Sequence, residues 1–217
     1  MNRLKKQIFI VIIGVFSCQR AKKIETTKLP FFNSAEMTPK WIPKESSEYN
    51  SIHKIPEFKF FNQENKLITQ ETYNNKIYVA NFFFTNCTGI CPELTKNMQV
   101  LQKKFMHDNG VLLISHSVTP LHDSVSVLKA YAEENNIISR KWNLVTGKKD
   151  HIIYEIARKG YFVDENFMMS GGENTFLNTE KFVLVDKKKR IRGVYNGMLA
   201  FEMQRLIEHI KILKKEE

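Results

Sequence analysis

The chain has 217 residues, 42% of them hydrophobic and 26% charged, and it is sparing in glycine and proline. That composition excludes a largely disordered chain and a fibrous repeat, and the length suits one domain with an extension. The formal charge of +10 raises the question of nucleic acid, but the lysines are scattered and no zinc-finger or helix-turn-helix spacing accompanies them, so no nucleic-acid partner is expected.

Residues 1–18 read MNRLKKQIFIVIIGVFSC. Arg3, Lys5 and Lys6 precede a short apolar run from Ile8 to Phe16. A span needs about 20 apolar residues, so this run reads as a signal-peptide core. It ends in Val15-Phe16-Ser17-Cys18, which resembles a bacterial lipobox with the cysteine at the cleavage point. Residues 1–17 are therefore expected to be a lipoprotein signal peptide and Cys18 a lipidated anchor, placing the protein on the extracytoplasmic side of a bacterial membrane. The alternative is an uncleaved signal anchor with an incidental cysteine. Residues 18–50, with Pro30, Pro39 and Pro43, read as a tether, although Leu29, Phe31, Phe32, Trp41 and Ile42 suggest that parts of it dock. Residues 51–217 form the domain.

Within the domain, Phe58 to Phe61 and Leu67-Ile68 predict a hairpin turning at Gln63-Glu64-Asn65. Ile77 to Thr85 is an unbroken run of β-branched and aromatic residues, the pattern of a strand covered on both faces. Pro92 to Asp108 has helical spacing, Val111 to Val118 predicts a second buried strand, and Ser124 to Asn135 a helix capped by Asp123 or Ser124. A further helix is expected over Lys149–Lys159, and a hairpin from Phe182–Val185 and Ile191–Tyr195 with its turn at the run Lys187-Lys188-Lys189-Arg190. Leu199–Leu213 is expected to close the chain as an amphipathic helix. Strands alternating with helices predict an α/β fold with a largely parallel central sheet and helices on both faces.

With Cys18 set aside, two cysteines remain, four apart, in Phe84-Thr85-Asn86-Cys87-Thr88-Gly89-Ile90-Cys91-Pro92. The segment leaves a buried strand and enters a helix, where sites gather in parallel sheets. Pro92 suits a first helical turn and puts Cys91 at the helix N-terminus, whose partial positive charge favours a thiolate. A reactive pair is the expectation, able to close a disulfide or to flank a soft cation such as Cu(I). The bland alternative is a local structural disulfide or two inert thiols.

The cysteine segment resembles the SCO/SenC family of copper-handling thioredoxin-like proteins. The resemblance continues through Ser115–Leu128, Trp142–Gly147, Ala157–Val163 and Thr179–Gly197, and covers roughly residues 50–213 in order. It implies a thioredoxin-like fold with a central mixed sheet, flanking helices and an N-terminal β-hairpin. It also implies a role in copper delivery to, or assembly of, cytochrome c oxidase, with an oxidase subunit or another copper or thiol protein as partner. The family binds copper through both motif cysteines and one distal histidine. The resemblance carries Cys87 and Cys91 over as ligands. The histidine's place is taken by Asn178, a poor substitute for imidazole. His116, His122, Met168 and its neighbour Met169 are the candidate replacements, each with a plainer reading as a strand-end, loop or packing residue. His53, His107, His151 and His209 read as surface residues. The departure keeps two other readings open: a copper-independent thiol-disulfide oxidoreductase, and a family member retained as a binding protein.

Overall fold

The computed structural model describes residues 28–148, 151–163 and 179–216. Seven strands form one sheet: β1 (Lys59–Asn62), β2 (Leu67–Thr69), β3 (Ile77–Phe83), β4 (Val111–Ser117), β5 (Trp142–Thr146), β6 (Lys181–Val185) and β7 (Ile191–Asn196), in the order β2-β1-β5-β4-β3-β6-β7. The strands β3, β4 and β5 run parallel, and β1 and β6 join that core antiparallel. The sheet is thus mixed, with the predicted hairpin β1–β2 at one edge and β6–β7 at the other. Every residue of β3 is buried, as its unbroken apolar run requires.

Each face of the sheet carries its own core. On one, α1 (Cys91–Lys104), α2 (Val125–Glu134) and α3 (Ala200–Glu216) contribute to a cluster that includes Val79, Phe83, Leu94, Met98, Leu113, Trp142, Leu206 and Ile210. A polar chain threads this face: the Trp142 indole donates to Ser115 Oγ at 2.7 Å, and Ser115 donates to Asn81 Oδ1 at 2.5 Å. The other face is aromatic, built from Phe58, Phe60, Tyr73, Tyr78, Phe82 and Tyr161. The helix covering it falls on the stretch expected to be helical, 149–159. It is a π-helix, His151–Gly160, with the Tyr161 amide donating to the Ile156 carbonyl five residues back at 2.9 Å. The wider turn explains itself through burial. Ile152, Ile156, Ala157 and Tyr161 are all buried, and residues four and five apart share one face only when the turn is opened beyond 3.6 residues.

The packed body starts well before residue 50. Leu29, Phe31, Ile42 and Ile52 are buried, Phe31 bridges Lys40, and the Phe32 amide donates to the Ile191 carbonyl on the β7 edge. Arg192 fastens this segment: it donates to the carbonyls of Leu29 (2.6 Å) and Pro30 (3.0 Å) and pairs with Glu216 at 2.6 Å and Asp186 at 3.4 Å. So the stretch read as tether docks from Leu29 on, as its apolar residues suggested. Its apolar residues have a surface to cover, and the last edge strand has a donor and acceptor row to satisfy.

Candidate functional site

The predicted strand-to-helix placement of the cysteines is what the structure shows. Chain leaves β3 at Phe83, turns through Cys87, whose amide donates to the Phe84 carbonyl at 3.3 Å, and enters α1 at Cys91. Pro92 lies in the first turn, where its missing amide hydrogen costs nothing. Both cysteines are free and buried, Cys91 at 2% exposure and Cys87 at 8%, and the two thiols are within hydrogen-bonding contact. One pair of sulfurs therefore shares one environment, on the three-helix face of the sheet.

The electrostatics at Cys91 correct the expectation of an easily ionised thiol. Burial first, and then the contact with Cys87, push Cys91 up to about 12, and the nearby Asp123 carboxylate acts in the same direction. Among the described residues no side chain caps α1, and Ile90 at the N-cap position is itself helical in backbone. The helix terminus acts over its first turn only and is worth roughly 0.3–1 kcal/mol at the surface. Desolvating a thiolate outweighs it here.

Asp123 organises the site, a role not read from the sequence. Its carboxylate is 1% exposed and accepts from Thr85 Oγ1 (2.5 Å), Ser117 Oγ (2.5 Å), Thr119 Oγ1 (3.0 Å) and the Thr85 amide (3.3 Å). These bonds strap the cysteine loop to the end of β4. The cap of α2 is then Ser124, accepting from the Val127 amide. The signal available in the sequence was the run Ser117-Val118-Thr119 with an acid four residues on; it reads equally as a helix start. Tyr131 packs against the same core, its hydroxyl 2.8 Å from Thr95 Oγ1 and its ring 5.5 Å from that of Phe83.

The other candidates separate. His116 is on the opposite face of the sheet from the cysteines. It alternates with Ser115 and Ser117 on β4, so the pleat turns it into the aromatic core, with ring centroids 5.1 Å from Phe82, 5.6 Å from Phe60 and 5.9 Å from Phe58. It is fully buried, neither ring nitrogen has a hydrogen-bond partner among the described residues, and burial drives its pKa down to about 3. It is no substitute ligand for the pair. His122 is exposed in the loop after β4, beside Asp123 and at the right edge of the sheet. Cys18, Met168, Met169 and Asn178 lie outside the described residues. Among the described residues, no group of three or more His, Cys, Asp or Glu is arranged to hold a metal ion. The donor set among the described residues is two soft sulfurs, which suits a two-coordinate soft cation and not a hard one.

Known proteins resemble this chain in sequence and in fold. The SCO1/SenC family profile matches residues 46–214. A SCO1 protein homolog of Bacillus subtilis is 31% identical over 160 residues, covering 73% of this chain and 82% of that protein. Among solved structures, a SCO1/SenC family lipoprotein from Bacillus anthracis is 28% identical with a TM-score of 0.64, covering 75% of this chain and 95% of that one. BsSco, described as having a disulfide switch and as a member of the Sco family of cytochrome c oxidase assembly proteins, is also 28% identical with a TM-score of 0.64, over 76% and 95%. Arabidopsis thaliana ScoI, solved with copper bound, shares the fold at 21% identity and a TM-score of 0.55, over 72% and 98%. With a buried cysteine pair at the exit of β3, a thioredoxin-like mixed sheet and a family match over most of its length, the chain belongs to the SCO1/SenC family.

Proposed function

We propose that this protein is an extracytoplasmic, membrane-held SCO1/SenC protein that assists assembly of cytochrome c oxidase by passing Cu(I) through Cys87 and Cys91. The observation that carries the reading is the contact between the two buried thiols at one strand exit. Copper is cargo here. Two buried thiolates bind a soft monovalent cation, and the partner that takes it must offer further soft ligands. Because each thiol must give up its proton to bind metal, loading releases protons and weakens as the pH falls.

The membrane part of the proposal rests on the lipobox ending at Cys18 and on a family relative that is a lipoprotein. Among the described residues no helix is long and apolar enough to cross a membrane. In this reading residues 1–17 are removed, Cys18 carries the lipid, and residues 19–27 link it to the packed body.

A second reading, copper-independent thiol-disulfide exchange with an oxidase subunit or another thiol protein, is favoured by one specific feature: Asn178 where the family has its histidine. A disulfide needs only the pair. The experiment is a Cu(I) titration against a competing chelator with the wild type, the Cys87→Ser/Cys91→Ser double variant and Asn178→His. Wild-type binding at least tenfold tighter than the double variant, tightened further by Asn178→His, is the expected result. Binding no tighter than the double variant removes the copper reading and leaves exchange, which is then read from the reduction potential of the pair.

A further inference from the structure

At the end of the sheet opposite the cysteines lies a basic cleft. Val185, the last residue of β6, pairs with Tyr78 near the start of β3, so the turn 186–190 sits about 20 Å, the length of β3 at about 3.3 Å per residue, from the cysteine loop. The cleft encloses ≈ 660 Å³ between this turn and the segment 28–49. Its floor is aromatic and already charged: Arg192 lies 4.3 Å from the Phe31 ring centroid and Arg190 5.1 Å from that of Tyr49. Those arginines are satisfied by Asp186 and Glu216.

The rim is different. Lys28, Lys44 and Lys188 are exposed and carry no ion pair among the described residues, and Trp41 stands 58% exposed beside them. A second hollow, lined by Lys54, Lys187, Lys188 and Lys189, continues the positive surface around the same turn. Of the acids nearby, Glu57 is paired with Lys189, and Glu45 is exposed on the rim. Lysines that ring an exposed indole over an aromatic floor match one surface: phosphates held at the boundary of an apolar phase.

We propose that this pole docks on anionic phospholipid headgroups, with Trp41 at the boundary and the cysteine pair held facing away from the bilayer. The position of the chain's start supports the choice of ligand. Lys28 is ten residues after Cys18, so the cleft lies within about 36 Å of a lipid on that cysteine even with the link fully extended. The inference rests on the anchored reading above, but its chemistry is separate. Each rim lysine adds attraction to an anionic surface that salt screens, while the indole adds a salt-independent part.

The test uses the full-length protein, purified from membranes and reconstituted into vesicles of phosphatidylcholine alone or mixed with phosphatidylglycerol. The chain has two tryptophans, and only Trp41 is exposed, Trp142 being at 1%. Lipids brominated in the upper acyl chain quench an indole on contact. Phosphatidylglycerol is expected to raise quenching at least threefold, Trp41→Phe to abolish the rise, and Lys28→Glu/Lys44→Glu/Lys188→Glu to return it to the phosphatidylcholine level with the two thiols still titratable. Equal quenching in both vesicles, or in the triple variant, overturns the proposal. An equal Trp41 response to inorganic phosphate over phosphatidylcholine vesicles overturns it too, by assigning the cleft to a soluble anion. Protein that floats only with phosphatidylglycerol vesicles loses the anchor and keeps the docking; protein that floats with neither loses both.

Discussion

Cys87 and Cys91 are neighbours with unequal access. At 8% against 2% exposure, and with burial holding the Cys91 proton, Cys87 is the sulfur a reagent or partner meets first. Iodoacetamide on the reduced protein, read by mass spectrometry, should modify Cys87 about tenfold faster than Cys91. Asp123→Ala should narrow that gap, because losing the carboxylate frees Thr85, Ser117 and Thr119 and lets the loop open; unchanged ratios would mean the strap is not what shields Cys91. His116 offers a cleaner readout. Its pKa falls from 6.5 to about 3 in the folded state through burial and the charge of His151. The unfolded chain therefore takes up a proton below pH 6.5 that the folded one refuses, and this part of the stability is lost as the pH drops from 6.5 towards 3. His116→Phe puts an apolar ring among Phe58, Phe60 and Phe82 in place of two unsatisfied nitrogens. The variant's melting temperature should fall less than the wild type's between pH 7 and pH 5; parallel curves would refute the assignment.

At the scale of elements, strands were the most legible part. Ile77–Phe83 and Val111–Ser117 emerge within a residue or two of the predicted runs, because a strand covered on both faces is dominated by apolar residues, its few polar ones (Asn81, Ser115, His116, Ser117) being buried with them. The turn at Lys187–Arg190 was read from its place between two strand-like segments and is made by Asp186, whose side chain accepts from the amides of Lys188 and Arg190, with Lys189 at φ 67°. The π-helix was not legible: its apolar spacing passes for an α-helix until one knows which residues the sheet must cover. For the segment 28–52 only the docking was legible, from its apolar side chains; where it docks was not, since single apolar residues among prolines carry no periodicity and the fastening residue, Arg192, is over 160 residues away in sequence. Arg192→Ala leaves Asp186 and Glu216 short of a partner and the Leu29 and Pro30 carbonyls short of a donor. A loss of about 3–5 kcal/mol in urea unfolding is expected; a loss under about 1 kcal/mol would show the segment to be dispensable cover.

Over the whole molecule, the cysteine motif fixed where the site is but not how it is held. Position and partner distance follow from β3 running into α1, a local fact, whereas Asp123 reaches the cysteine loop across 38 residues. Likewise, His116 and the cysteines sit at one end of adjacent parallel strands, close in any diagram of the topology. Only the pleat, which puts Ser115 and Ser117 on one face and His116 on the other, separates them.

The knot at Arg192 also decides where the molecule feels a tug. Strain arriving along the chain from upstream reaches Leu29 and Pro30 first, and their carbonyls hand it to Arg192 on the outermost strand and, through Glu216, to the end of the final helix. None of that load path runs through the sulfur-bearing loop at the far end of the sheet. The working end can therefore stay in register under a pull that enters at Leu29.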